Sequence, residues 1–258
     1  MLVHPMTWNP DQYAKFAGPR LQPGLDLINR LPLQGPIQAV VDLGCGTGEL
    51  TALLADRYPE ASVAGLDSST AMLEQARGQF PDRVWVEGDI AQWRPERPVD
   101  LIYSNAALQW LPDHDRLMPA LVDCLTKGGL LAVQMPRNFG APSHALMRDV
   151  ASQPRFAGRT NLRSEPVADP GFYDALLSRL VNEIEVWEIE YWHRLTGDEP
   201  VYEWVKATGL RPVLEALEGD DREAFLSDYR QRLLKAYPKR ADGITLFPFR
   251  RLFLLAKR

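Results

Sequence analysis

One glycine run and a set of acidic residues carry most of the chemical information in this chain. The segment Asp42-Leu43-Gly44-Cys45-Gly46-Thr47-Gly48 follows a short apolar run and precedes a stretch with helical spacing. Glycines at a strand-to-helix turn let a ligand reach the backbone without a Cβ in the way. Asp67 and Asp89 each stand just after a further apolar run. A carboxylate at the end of a second strand can accept both hydroxyls of a ribose. One at the end of a third strand, followed by Ile90, suits an adenine: the acid accepts from the exocyclic amine and the apolar side chain covers a ring face. Met72 is placed to cover the other face. The pattern describes a nucleoside held across the ends of three successive strands.

The nature of that nucleoside follows from charge. A dinucleotide site wants G-x-G-x-x-G with a pyrophosphate on the helix N-terminus, yet position 49 is Glu. A carboxylate at the head of the helix would repel a pyrophosphate, and no Lys-Ser/Thr follows to make a P-loop. S-adenosylmethionine (SAM) has no phosphate. Its amino-acid end is a zwitterion and its sulfur is a cation, so Asp42 and Glu49 on either side of the loop suit it better. Ser68 beside Asp67, Cys45 and Thr47 within the loop, and Asn105 at the end of a fourth apolar run complete the candidate cofactor set.

These residues need a scaffold that brings strand ends together. The runs Ala39 to Leu43, Ser62 to Leu66, Val84 to Glu87, Leu101 to Ser104 and Leu130 to Gln134 read as strands. They alternate with helical patterns over Glu49 to Tyr58, Ser69 to Phe80 and Arg116 to Leu125. Alternation of this kind means βαβ units with right-handed crossovers. The expected fold is α/β, a doubly wound Rossmann-like, mostly parallel seven-stranded sheet. After Pro136 the rhythm breaks, and helical cap insertions are expected at about 137–170 and 197–243, around a strand over Glu183 to Arg194 and a last strand over Phe249 to Ala256. Residues 1–35, rich in proline, should form a lid of two short helices over the active site. Trp187, Trp192 and Trp204 read as core of the cap, and Arg250-Arg251 as a solvated edge.

Bulk properties narrow the partners. The chain has 258 residues, 45% hydrophobic and 24% charged, with a formal net charge of −5. A nucleic-acid binder would need a basic face, and a polybasic membrane anchor is equally disfavoured. The two cysteines, Cys45 and Cys124, have neither CxxC spacing nor His partners, so no metal is expected and a reduced, cytoplasmic protein is. No apolar leader opens the chain, and no run approaches the ~18 apolar residues of a membrane span.

The segment Asp42 to Gly48, with Asp67 and Gly88-Asp89-Ile90, resembles the motifs of the class I SAM-dependent methyltransferases over roughly residues 36–136. The resemblance implies SAM as cofactor and S-adenosylhomocysteine as product. The acceptor is read from what is missing. No Asn/Asp-Pro-Pro-Tyr/Phe follows the fourth strand, which weakens an amino acceptor, and no His or Lys stands there as a base for a hydroxyl. A carboxylate, ionised at neutral pH because its pKa lies near ~4, needs no base; alignment alone supplies on the order of 7–11 kcal/mol. No catalytic acid or base is therefore expected.

A narrower resemblance covers most of the chain. Trp8-Asn9-Pro10-Asp11-Gln12-Tyr13 with Phe16 and Arg20, Ser104 to Trp110, Gln134-Met135-Pro136, Asn138-Phe139 and Pro142-Ser143-His144 are similar to a family of carboxyl O-methyltransferases acting on a small polycarboxylate, trans-aconitate. Arg137 departs from that pattern. The acceptor would be clamped by Arg20, with Tyr13, Trp110, Arg137 and His144 as further candidate contacts. The alternatives are a methyltransferase acting on a malonyl-carrier protein, which shares the Ser-Asn…Gln-Trp segment, a SAM-binding protein without catalysis, and, disfavoured by Glu49, an NAD-dependent oxidoreductase.

Overall fold

The computed structural model describes residues 17–32, 37–160, 162 and 167–258. Within them the strands are β1 (Ala39–Leu43), β2 (Ser62–Asp67), β3 (Val84–Glu87), β4 (Val99–Asn105), β5 (Leu125–Pro136), β6 (Glu183–Leu195) and β7 (Thr245–Lys257). They form one sheet of order β3-β2-β1-β4-β5-β7-β6. β1 pairs in parallel with β2 and β4, β2 with β3, and β4 with β5, whereas β7 runs antiparallel to β5. The order reverses at β1, so β1 and β4 part at their carboxyl ends, where open α/β sheets bind ligands. This is the mostly parallel seven-stranded sheet expected.

The central strands are apolar on both faces because helices cover both. Helices α2 (Glu49–Arg57), α3 (Thr70–Gln79) and α4 (His114–Asp123) are crossovers, preceded by α1 (Ala17–Arg30). Ser69 caps α3 by accepting the Met72 N–H at 3.4 Å. Of the two short helices expected over residues 1–35, the described residues hold one, α1; the rest of that expectation lies outside the described residues. That helix passes through Pro19, in the first turn, where a missing donor matters little, and through Pro23 in its interior, which leaves the Pro19 carbonyl without an i+4 N–H. Its buried residues Arg20, Pro23, Gly24, Leu27, Ile28 and Leu31 make a single stripe at helical spacing.

The chain divides into two compact units. The first comprises Met1–Pro136, Ala168–Ile189 and Arg251–Arg258, and the second Arg137–Val167 and Glu190–Arg250. The second holds α5 (Pro142–Ala151), α7 (Pro200–Lys206), α8 (Arg211–Ala216) and α9 (Gly219–Ala236), while α6 (Pro170–Leu177) belongs to the first. Pro142, Pro170 and Pro200 each open a helix, the position where proline's fixed φ is an asset. The core of the second unit gathers around Trp204, which stacks on His193 at 4.6 Å between ring centroids and meets Phe247 and Phe249.

Two expectations are corrected here. Trp192 is 59% exposed and is not core: along β6 it falls on the outward side of the two-residue alternation that buries His193 and Leu195. Arg251 is 4% exposed and is not a solvated edge, because on β7 it lies opposite Pro136 of β5; only Arg250 points out, 3.7 Å from Glu190.

Candidate cofactor and acceptor site

The glycine loop is anchored before any ligand is considered. Gly44 and Cys45 both donate backbone N–H groups to the Leu66 carbonyl, at 2.7 and 3.0 Å. Gly46 N–H donates to Asp67 Oδ2 at 2.9 Å, and Ser69 N–H to Oδ1 at 2.8 Å. Burial pushes the Asp67 carboxyl above the usual range, and these backbone donors pull it partly back. Each carboxylate oxygen has a second lone pair to offer. Asp67 thus ties the end of β2 to the loop after β1 and keeps acceptor capacity for neighbouring hydroxyls.

The three loop glycines do different work. A Cβ on Gly44 would stand 2.2 Å from the Ala107 Cβ, and one on Gly48 2.4 Å from the Trp85 ring. A Cβ on Gly46, at φ 56°, would meet nothing within 4 Å. All three have left-handed φ, at 80°, 56° and 90°, but Gly44 and Gly48 are in addition closely packed, and only the Gly46 side of the loop opens onto free space. Trp85 is a residue the sequence reading missed. It also fills the space above Gly65, where a Cβ would be 2.6 Å from the ring, and donates from Nε1 to the Phe80 carbonyl. A glycine inside a strand, opposite a tryptophan on the next, was the available signal.

The structure places other candidates less directly. Asp42 lies 2% exposed beneath the loop, accepting from Thr51 Oγ1 at 2.6 Å, and burial raises its pKa to about 7. Glu49 Oε2 accepts from Thr47 Oγ1 at 2.6 Å. Cys45 is buried, and burial first, then Asp42 and Asp67, hold its thiol protonated. Met72 is buried, Ser68 is exposed, and Asp89 is exposed with Oδ1 accepting the Ala91 N–H at 2.9 Å. The Ile90 side chain reaches the loop, 3.6 Å from where a Gly44 Cβ would be.

At the end of β4 the backbone turns sharply. Ala106 has φ 55°, a left-handed conformation that costs an alanine about 1 kcal/mol. Its N–H donates to the Gln134 carbonyl at 2.9 Å and its carbonyl accepts from Gln109 Nε2 at 2.6 Å. That bend fixes the aim of Asn105, whose Oδ1 is buried with no hydrogen-bond partner among the described residues. Trp110 closes the short 3-10 turn Leu108–Trp110 and is half-buried.

Of the acceptor candidates, Arg20 is 5% exposed at the head of the α1 stripe in the first unit. Arg137 and His144 belong to the second unit. There Arg137 donates its N–H to the Arg250 carbonyl at 2.9 Å, and His144 Nδ1 lies 3.0 Å from Ser143 Oγ. Tyr13 lies outside the described residues. No group of three His, Cys, Asp or Glu side chains is placed to hold a metal ion among the described residues.

A doubly wound sheet of this order, with a glycine loop after β1 and a carboxylate closing β2, defines a class I SAM-dependent methyltransferase. A family described as "Methyltransferase domain" matches residues 40–129. The trans-aconitate 2-methyltransferase of Methylobacterium nodulans is 46% identical over 97% of this chain and 98% of its own length, and that of Escherichia coli O7:K1 is 45% identical over the same shares. The chain belongs to the trans-aconitate 2-methyltransferase family. Solved structures share the fold at low identity. The YcgJ protein of Bacillus subtilis superposes with a TM-score of 0.59 at 13% identity, covering 92% of this chain and 98% of its own. Haemonchus contortus phosphoethanolamine N-methyltransferase 2, solved with S-adenosylhomocysteine, gives 0.54 at 17% identity, covering 92% and 52%. With relatives this close, the carrier-protein and non-catalytic alternatives are not needed.

Proposed function

We propose that this chain transfers the methyl group of SAM to a carboxylate of trans-aconitate, giving its monomethyl ester and S-adenosylhomocysteine. The observation that carries the reading is the Asp67–Gly46 brace beside the open side of the loop. It leaves a half-buried carboxylate and a Cβ-free backbone facing the same space, as a ribose and an amino-acid tail require. The identity of the acceptor is supported by relatives that match nearly the whole chain.

In this reading Asp67 accepts the ribose hydroxyls, the Gly46 side of the loop receives the methionine end, and Ile90 and Met72 flank the adenine near Asp89. Cys45, Thr47, Gly44 and Gly48 shape the loop, Ser68 lies at its rim, and Asn105 faces the cofactor from β4. When bound, SAM supplies an electrophilic methyl on a cationic sulfur. The protein's own residues position and desolvate the acceptor, with no general base, because the attacking carboxylate is already ionised. Arg20, brought over the site by α1, holds a second carboxylate through its fork. Trp110 closes over it, with α1 as the described part of the lid. The two free, buried thiols and the small anionic substrate agree with a cytoplasmic enzyme; no helix among the described residues is long and apolar enough to cross a membrane.

The test is incubation of purified protein with methyl-labelled SAM and a panel of polycarboxylates. Trans-aconitate should be esterified with the highest kcat/KM, one methyl per molecule. Absence of ester on trans-aconitate, with SAM still bound, would overturn the acceptor; absence of SAM binding would overturn the whole reading.

A further inference from the structure

Gln134 is fully buried near the end of β5, and neither its Nε2 nor its Oε1 has a hydrogen-bond partner among the described residues. Its neighbour across the parallel ladder is Asn105, the last residue of β4, whose Oδ1 shares that condition. A buried amide left unsatisfied is costly, and an apolar side chain of the same shape would pack there at less cost. A wholly unpartnered amide beside a second, unpartnered amide oxygen at the ligand-binding edge of the sheet points to a polar occupant.

The fold identifies what faces them. Ladder partners in a parallel pair lie on one face, and residues two apart on a strand share it. Tyr103, two residues before Asn105, is on that face and donates its hydroxyl to the Gly24 carbonyl of α1 at 2.9 Å. α1 also lies against β5. Its direction is set at the other end: Arg57 and Tyr58, at the foot of α2 and remote from the glycine loop, donate to the Leu31 and Pro32 carbonyls. The start of α1 therefore points toward the carboxyl ends of the strands. Arg20 precedes Gly24 by one turn, ~6 Å along the helix. Asn105 follows Tyr103 by two residues, ~7 Å along the strand. Both steps lead to the same edge, so the buried Arg20 stands over the Asn105–Gln134 row.

We propose that Gln134 is an acceptor-binding residue, its side-chain amide donating to one carboxylate of the polyanion that Arg20 holds from the opposite side. The inference rests on the acceptor reading above. A neutral donor suits this place, since it orients a carboxylate without the strong charge neutralisation that a second guanidinium would bring.

The decisive variant is Gln134→Met, similar in length and free of hydrogen-bonding groups. If Gln134 serves the acceptor, the thermal midpoint stays level or rises, the dissociation constant for S-adenosylhomocysteine changes less than twofold, and KM for trans-aconitate rises roughly tenfold, the effect of one hydrogen bond to a charged group. Gln134→Glu, which keeps the shape and adds a negative charge, should raise that KM further. A wild-type enzyme active on trans-aconitate with the variant's KM within twofold of it would overturn this inference alone. A midpoint several degrees lower in both variants, with KM unchanged, would make Gln134 a structural residue and overturn it as well. A wild-type enzyme that leaves trans-aconitate untouched while binding S-adenosylhomocysteine would instead remove the acceptor reading on which it rests.

Discussion

Asp67 Oδ2 lies 2.9 Å from the backbone nitrogen of Gly46, so the carboxylate that ends β2 is also the clamp on the loop that follows β1. One residue thereby sets both the shape of the glycine turn and the acceptor placed beside it. Its other oxygen holds the Ser69 N–H at the start of α3. Cofactor binding and loop order are consequently coupled through a single side chain.

Asp67→Asn tests that coupling. The variant keeps one acceptor oxygen but turns an NH₂ toward one of the two backbone N–H donors. Affinity for S-adenosylhomocysteine should fall by roughly 10–100-fold, the range for hydrogen bonds to a charged group. Titration calorimetry reads this directly, and a change below threefold would take Asp67 out of the cofactor site.

The loop glycines separate packing from binding. Gly44→Ala drives a methyl into Ala107 and also puts a side chain at φ 80°, so it should lower stability by about 2–4 kcal/mol. Gly46→Ala meets no neighbour and bears only the left-handed backbone penalty, about 1 kcal/mol. Gly46→Ala should nevertheless weaken SAM binding the more, measured on protein still folded at the assay temperature. If Gly44→Ala binds SAM worse than Gly46→Ala while equally stable, the open side of the loop has been misassigned.

The strand-loop-helix units were legible because parallel strands buried on both faces are short apolar runs stopped by glycine, proline or acid. Val84–Glu87 and Glu49 at the head of α2 stand where the spacing put them. What escaped reading depended on partners remote in sequence. That Gly48 is glycine for Trp85 and Gly44 for Ala107, and that Asp42 faces Thr51, are packing facts with no local signature. Gln134 was visible as a polar residue ending an apolar run and as part of the Gln134-Met135-Pro136 segment of the resemblance, with no role attached to it. Its missing partners, like the burial of Arg20, emerge once α1 is laid across β4 and β5.

Stability should depend on pH through Asp42. Burial raises its pKa from an ordinary 3.8 to about 7 in the folded protein. Between those values the unfolded chain releases a proton that the folded chain keeps. Its contribution is therefore fully present below about pH 4, declines as pH rises toward 7, and is flat above, at up to about 1.4 kcal/mol per pH unit. Asp42→Asn keeps the shape and the Thr51 hydrogen bond but cannot ionise. Urea unfolding at pH 5 and pH 8 should show the variant gaining on wild type by a few kcal/mol at the higher pH. A constant difference between the two proteins across that range would contradict a buried, late-ionising Asp42.

Arg20 offers the sharpest test of substrate binding, because its burial separates charge from packing. Arg20→Met retains most of the apolar stem that continues the stripe of Gly24, Leu27 and Leu31, and removes only the guanidinium. Arg20→Lys keeps the charge but loses the fork that grips a carboxylate through two parallel bonds. If the guanidinium holds the acceptor, Met should raise KM for trans-aconitate by roughly 10–100-fold, Lys should fall between Met and wild type, and KM for SAM should move less than threefold in both. The ordering matters more than either value. A residue that merely braces α1 would lower the thermal midpoint and shift both KM values together, and that pattern would place the anion clamp elsewhere in the protein.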